Sequence, residues 1–154
     1  MAKKSPTERT LAELRKRGMI CGIVERWIET PKGFVTRRGQ FVKGIRKDLF
    51  GIIDIVALDP ERGVIGVQST GTGFSQHHKD LTTITEKRWA CIHWLETPGT
   101  HLELWGWRKV KRNGRMVYEP RIKVYKLEDF LDSALGVASV ESAIASSGDP
   151  FEGM

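Results

Sequence analysis

Apolar residues recur along the chain first at helical and then at strand spacing. Over residues 7–17, Leu11 and Leu14 fall on one helical face, charged side chains fill the other, and Gly18 supplies a stop. Ser5 or Thr7 can cap the start, with Pro6 in the first turn. Residues 19–28, MICGIVERWI, have strand composition with a polar intrusion at Glu25 and Arg26. Residues 31–47, PKGFVTRRGQFVKGIRK, show little periodicity and read as an irregular hairpin or a flexible loop. Two apolar runs follow, residues 51–58 and 63–70, joined through DPERG, whose Asp59, Pro60 and Gly63 are turn formers. They are expected to be adjacent antiparallel strands. Residues 75–86 read as a helix that can continue through KRWACIHWLE to residue 96, packed on that sheet and ended by Pro98 and Gly99. In HLELWGWRKV, Leu102, Leu104 and Gly106 alternate with Glu103, Trp105 and Trp107, as in a strand; an Asn-Gly turn then leads into another strand through Tyr125.

Helix, strand, basic loop, two strands, helix and two strands in this order predict an α/β protein with a central sheet flanked by helices. A length of 154 residues suits one domain with a real core. We place it at residues 1–126, with the basic loop at 31–47, followed by an acidic, partly disordered tail at 127–154. A hydrophobic fraction of 40% and a charged fraction of 29% fit a globular chain, and no apolar stretch approaches the roughly 18 residues of a membrane helix. No membrane partner is expected. The N-terminus lacks the apolar segment of a signal peptide, and Cys21 and Cys91 form neither a CxxC pair nor a disulfide framework, so a reduced, cytoplasmic setting is expected.

Charge changes the picture. Residues 1–47 carry 13 Lys/Arg against 4 Asp/Glu, whereas residues 127–154 carry none against 6. A basic front and an acidic tail suit a polyanionic partner, nucleic acid first among them. Lys32, Arg37, Arg38, Lys43, Arg46 and Lys47 in the basic loop are candidate phosphate contacts, or simply a solubilising surface.

The two central runs carry polar residues that a core hairpin does not need. Asp54 sits among Ile52, Ile53, Ile55 and Val56, and the second run ends in Gln68, Ser69 and Thr70. Burying an unpartnered carboxylate costs several kcal/mol or more in order of magnitude. On adjacent strands, Asp54 can meet Gln68 and Thr70, which share a face. A carboxylate, an amide oxygen and a backbone carbonyl are hard ligands suited to Mg²⁺, and phosphodiester cleavage needs such a cation. The plainer alternatives are Asp54 bonded to backbone amides or paired with Arg46 or Lys47, Gln68 satisfying a neighbouring strand, and Thr70 as a simple β-former.

These residues, in this order of elements, resemble the PD-(D/E)XK nuclease superfamily, whose small members include Holliday junction resolvases. GIIDIVAL is similar to the strand with the metal-binding Asp, VIGVQST to the strand that carries the (D/E)XK motif, and the first helix with Glu8 and Glu13 to that family's first helix. The stretch RKDLFGIIDIVAL…VIGVQST…HLELWGW also looks like phage and bacterial nuclease-like proteins. The resemblance covers about residues 7–110. It implies a restriction-endonuclease-like core with a mixed sheet, a DNA substrate, Mg²⁺ or Mn²⁺ as cofactor, and a homodimer. It also implies Asp54 as the metal-binding Asp, Gln68 where Asp or Glu is usual, and Thr70 where the catalytic Lys is usual. Lys79 on the following helix can substitute for that Lys, and Glu25, or less directly Glu8, can restore a carboxylate. The resulting expectation is a metal-dependent DNA endonuclease; the alternative is a nuclease-fold protein that binds nucleic acid or a protein partner without cutting.

Other candidates stand beside this set. His77, His78 and Lys79 follow the Gly-rich turn, where a phosphate can sit on a helix N-terminus; adjacent histidines are equally a surface feature. Cys91, His93 and His101 lack zinc spacing. Trp105 and Trp107 can stack on bases, although core packing is the commoner use.

Overall fold

The computed structural model describes residues 3–131. Helix α1 (Pro6–Lys16) starts where its caps dictate: the Ser5 side chain accepts from the Glu8 amide and the Glu8 carboxylate accepts from the Ser5 amide, with Pro6 at the first helical position. Gly18, at a φ of 89°, turns the chain out of the helix.

Strand β1 (Ile20–Ile23) pairs antiparallel with β4 (Ile55–Asp59), which pairs antiparallel with β5 (Gly63–Thr70). Helices α2 (Phe74–Thr83) and α3 (Thr85–Glu96) then cross over to β6 (Thr100–Arg112), which runs parallel to β5. Strand β7 (Arg115–Tyr125) returns antiparallel through Asn113 and Gly114, both at positive φ, the backbone that a two-residue hairpin needs. The sheet is thus mixed and five-stranded, in the order β1-β4-β5-β6-β7. Its faces are separate cores. Leu11, Leu14, Met19, Ile55, Ala57, Ile65, Val67, Trp105 and Trp107 pack under α1. Ile52, Ile53, Leu81, Cys91, Ile92, Leu102, Leu104, Tyr125 and Phe130 pack with α2 and α3. The expected alternation in β6 holds: Leu102 and Leu104 face one core, Trp105 and Trp107 the other. Both indoles are buried, so neither is a base-stacking surface.

Three boundaries differ from the sequence expectation. The run at 19–28 is not one strand. At Val24 and Glu25 the chain leaves the five-stranded sheet, because β4 begins at Ile55, the partner of Ile23. The chain resumes as β2 (Arg26–Glu29), which pairs with β3 (Gly44–Lys47) in a separate two-stranded ribbon; residues 31–47 are therefore mainly the distal part of an irregular hairpin. The run at 51–58 is strand only from Ile55. Before it, Phe50 and Gly51, at φ of 56° and 75°, make a tight turn closed by the Leu49–Ile53 bridge, and Lys87 Nζ donates to the Gly51 carbonyl at 2.8 Å. The helix expected to reach 96 breaks at Ile84. There Thr82 and Thr83 donate back to the carbonyls of His78 and Lys79, a bond that competes with helix continuation in a β-branched run.

The ordered fold also extends past residue 126. In α4 (Glu128–Leu131), Phe130 is buried against Tyr125, and Arg88 donates to the Phe130 carbonyl through Nε and Nη2. The rest of the expected tail, residues 132–154, lies outside the described residues. Among the described residues, no helix is long and apolar enough to cross a membrane.

One buried polar node joins α1 to the sheet. Trp107 Nε1 donates to Thr10 Oγ1 at 2.8 Å, Thr10 Oγ1 donates to the Pro6 carbonyl at 2.9 Å, and Ser69 Oγ lies 2.7 Å from Thr10 Oγ1. With the Ser69 hydroxyl as donor, every hydrogen in the node has an acceptor. Thr10→Val keeps the shape but leaves the indole N–H without its partner. We expect a loss of about 1–3 kcal/mol in urea unfolding, with the far-ultraviolet circular dichroism of the folded state unchanged.

Candidate metal centre

Three carboxylates converge where the ribbon meets the sheet. Glu25 lies between β1 and β2, Asp48 directly follows β3, and Asp54 directly precedes β4. One ligand oxygen from each lies within 4.8 Å of the others, and the group can hold a metal ion. The backbone around Asp54 is pinned from both sides: its amide donates to the Val67 carbonyl and its carbonyl accepts from the Val24 amide. On the side chain, the Ser69 amide donates to both carboxylate oxygens at 3.2 Å. Gln68, on β5 and only 3% exposed, closes the group, with its side-chain amide donating to Asp48 Oδ2 at 3.3 Å. A 180° rotation of that amide exchanges its nitrogen and oxygen and turns the oxygen toward the carboxylates.

A second buried acid shows how unusual this arrangement is. Glu103 is 3% exposed, but it accepts from Arg62 Nη1 at 2.8 Å and from Trp105 Nε1 at 2.9 Å. Asp54, 6% exposed, has a backbone amide and two further carboxylates. Burial first, then the charges of Asp48 and Glu25, push its carboxyl up to about 7, against the opposing pull of the Ser69 amide. Burial and Asp48 likewise raise Glu25, partly offset by Arg46, whose Nε lies 3.5 Å from Glu25 Oε1. Arg46 is largely exposed, so this pair neutralises the group only weakly. Oxygen donors with surplus negative charge in a partly buried recess suit a hard divalent cation, with water completing its coordination.

Of the residues singled out from sequence, Asp54, Gln68 and Glu25 come together here. Asp48, which the sequence pattern does not single out, bridges them. Its signal was its place at the junction of a basic run and a tight turn, in RKDLFG. Thr70 is buried on the Gln68 face of β5, but its hydroxyl points to the start of α2: a Cβ on Gly73 would lie 3.0 Å from Thr70 Oγ1 and 3.2 Å from His77 Cδ2. Thr70 and His77 thus gather at the α2 N-terminus. His78 stacks on Tyr125, with Nδ1 2.7 Å from the phenol oxygen. Lys79 is exposed on α2, and among the described residues its ammonium makes no hydrogen bond or ion pair. Arg37, Arg38, Lys43, Arg46 and Lys47 are exposed along the ribbon. Glu8 is committed to the α1 cap. Among the described residues, the carboxylate trio is the one group of such ligands; Cys91, His93 and His101 do not form another, and Cys91 is buried with its thiol pushed up to about 12.

No protein-family model, curated protein or solved structure matches the chain.

The raised Asp54 carboxyl sets the sign of a pH effect. Burial raises the Asp54 carboxyl from its ordinary value of 3.8 to about 7, so the native state holds the proton more tightly than the unfolded chain. Its contribution to stability is full below 3.8 and is lost as pH rises through about 7. Asp54→Asn should therefore gain on the wild type across that interval in metal-free denaturant titrations. A divalent cation held by the trio should raise the wild-type Tm more at about pH 8 than at about pH 5, because the ligands bind as carboxylates.

Proposed function

We propose that this chain is a metal-dependent nuclease acting on DNA, with a restriction-endonuclease-like core of the PD-(D/E)XK kind. The observation that carries the proposal is the convergence of Glu25, Asp48 and Asp54, with Gln68 beside them, at the foot of an exposed basic ribbon. The order of elements supports the fold assignment: a first helix, an antiparallel pair with Asp54 just before its first strand and Gln68 on its second, a helical crossover, and a parallel strand.

Asp54, Asp48 and Glu25 would hold Mg²⁺ or Mn²⁺, with Gln68 contributing its amide oxygen. The cation would supply charge stabilisation at the phosphorus and acidification of the attacking water. The protein's own residues divide the remaining work. The Ser69 amide would fix the Asp54 carboxylate, and the ribbon cations would hold the phosphate backbone.

A second proposal has its own support. Thr70 stands where the family carries a Lys, and Lys79 makes no contact with the acidic group. Such a chain would bind nucleic acid, or a protein partner, without cutting it.

A plasmid-nicking assay with Mg²⁺ or Mn²⁺ separates the two. For an active enzyme, Asp54→Ala and Asp48→Ala should each lower cleavage roughly 100-fold or more, the effect of losing several kcal/mol of charge stabilisation. Gln68→Glu adds a carboxylate, so it should tighten cation binding while lowering metal-free stability. For an inactive binder, the wild type leaves plasmid intact with either metal, and Gln68→Glu combined with Thr70→Lys should create cleavage. If neither the wild type nor the double variant cuts or binds DNA, the nuclease proposal and the nucleic-acid form of the second both fail.

Binding to duplex DNA should also weaken with salt, by a slope of about −0.9 in log K per phosphate neutralised. Reversing the charges of Arg37, Arg38 and Lys43 should flatten that slope.

A further inference from the structure

Trp27 is the one tryptophan on the ribbon, and it is 58% exposed, whereas Trp105 and Trp107 are buried in the core. Its seat is specific. The indole lies across Gly44, which belongs to the facing strand: a Cβ at Gly44 would come within 2.4 Å of Trp27 Cε2 and Cζ2. Any other residue at position 44 would displace the ring. Directly opposite Trp27 in the ribbon register is Arg46, and Arg46 Nε reaches Glu25 Oε1 of the carboxylate trio. One cross-strand pair and one ion pair therefore separate an exposed, seated indole from the candidate metal centre.

An exposed aromatic ring can receive a nucleobase, a second copy of the chain or another apolar partner. Charge selects among them. Residues 26–47 carry seven Lys/Arg and a single acid, Glu29. Two such ribbons repel each other, whereas a strand of phosphates with bases supplies both the anion and the flat ring. In a continuous duplex both faces of every base are covered by neighbours. An indole lying on a ribbon can stack only on a base whose face is open.

We propose that Trp27 is a stacking platform for an unpaired base, and that the preferred substrate is single-stranded or locally unpaired DNA, held by the ribbon cations next to the carboxylate trio. The choice of DNA rests on the nuclease proposal above; the stacking does not depend on cleavage.

The test measures binding in EDTA, where the trio holds no cation. Fluorescence anisotropy would be recorded with a labelled thymidine oligomer of about 15 nucleotides, within the span that single-strand grooves cover. The comparison probes are a blunt duplex and an abasic strand with the same number of phosphates. Wild type should bind the thymidine strand tighter than either. Trp27→Ala should weaken that binding roughly 5- to 150-fold, the usual loss for one stacked base, while changing duplex and abasic binding less than about 2-fold. Gly44→Ala should reproduce the loss with the tryptophan still present, and Trp27→Phe should keep most of the affinity.

Equal weakening on all three probes, or none on the thymidine strand, would overturn the proposal. So would tighter binding to the matching uridine RNA strand, or a wild-type dimer in sedimentation that Trp27→Ala dissolves. The nuclease proposal stands or falls separately: loss of cleavage in Asp54→Ala with single-strand binding intact bears on the metal centre alone.

Discussion

The amide N–H of Ser69 points at both carboxylate oxygens of Asp54, and the rest of the architecture is arranged about that contact. Ser69 lies near the end of β5, paired to β6 on one side, with its hydroxyl bonded to Thr10 of α1. The first helix, the strand pairing and the acidic site thus share one residue. A buried carboxylate needs such an anchor because its charge has few other partners there. Without the amide, burial and two neighbouring acids would drive it still further toward the neutral form.

The cost of that arrangement is local and is met locally. Glu103 shows the same sheet burying a carboxylate with an arginine and an indole as partners. At Asp54 the neighbours are acids instead, and the segment before it is bent through Phe50 and Gly51, with a lysine from α3 holding the turn. A bulky residue in the left-handed region is strained, and strain of this kind persists only where surrounding structure holds it. Here it brings Asp48 back toward Asp54. A cation would relieve the repulsion that this geometry creates.

The ribbon extends the site outward. Glu25 and Asp48 immediately flank its closing pair, Arg26 and Lys47, so the position of two metal-ligand candidates is set by the same hydrogen bonds that hold the ribbon together. Its exposed face combines cations with an indole, a mixture that suits phosphate and base together. The ribbon concentrates positive charge and its foot concentrates negative charge, so the two surfaces differ in the ions they favour.

Much of this was legible in the sequence, for physical reasons. The alternation in HLELWGW and the Asn-Gly turn are local signals, and each produced the element it predicts; of the two caps left open, Ser5 is the one used, and the runs around DPERG pair as expected although the first is strand only from Ile55. Asp54 and Gln68 stood out because polar side chains in apolar runs carry a desolvation cost. Glu25 is legible as a polar intrusion in a strand-like run, although that run is two strands in two sheets. What local pattern could not provide was the company these residues keep. Asp48 reaches the site only because a tight turn folds the chain back, and Trp27 finds its seat only because β3 presents Gly44 diagonally across the ribbon. Lys79 is exposed on α2, a position set by how that helix lies over the sheet. Local pattern determined the kind of element and most of its buried face, because both depend on near neighbours; the breaks at Val24, Phe50 and Ile84 and the contacts between distant segments were decided by packing.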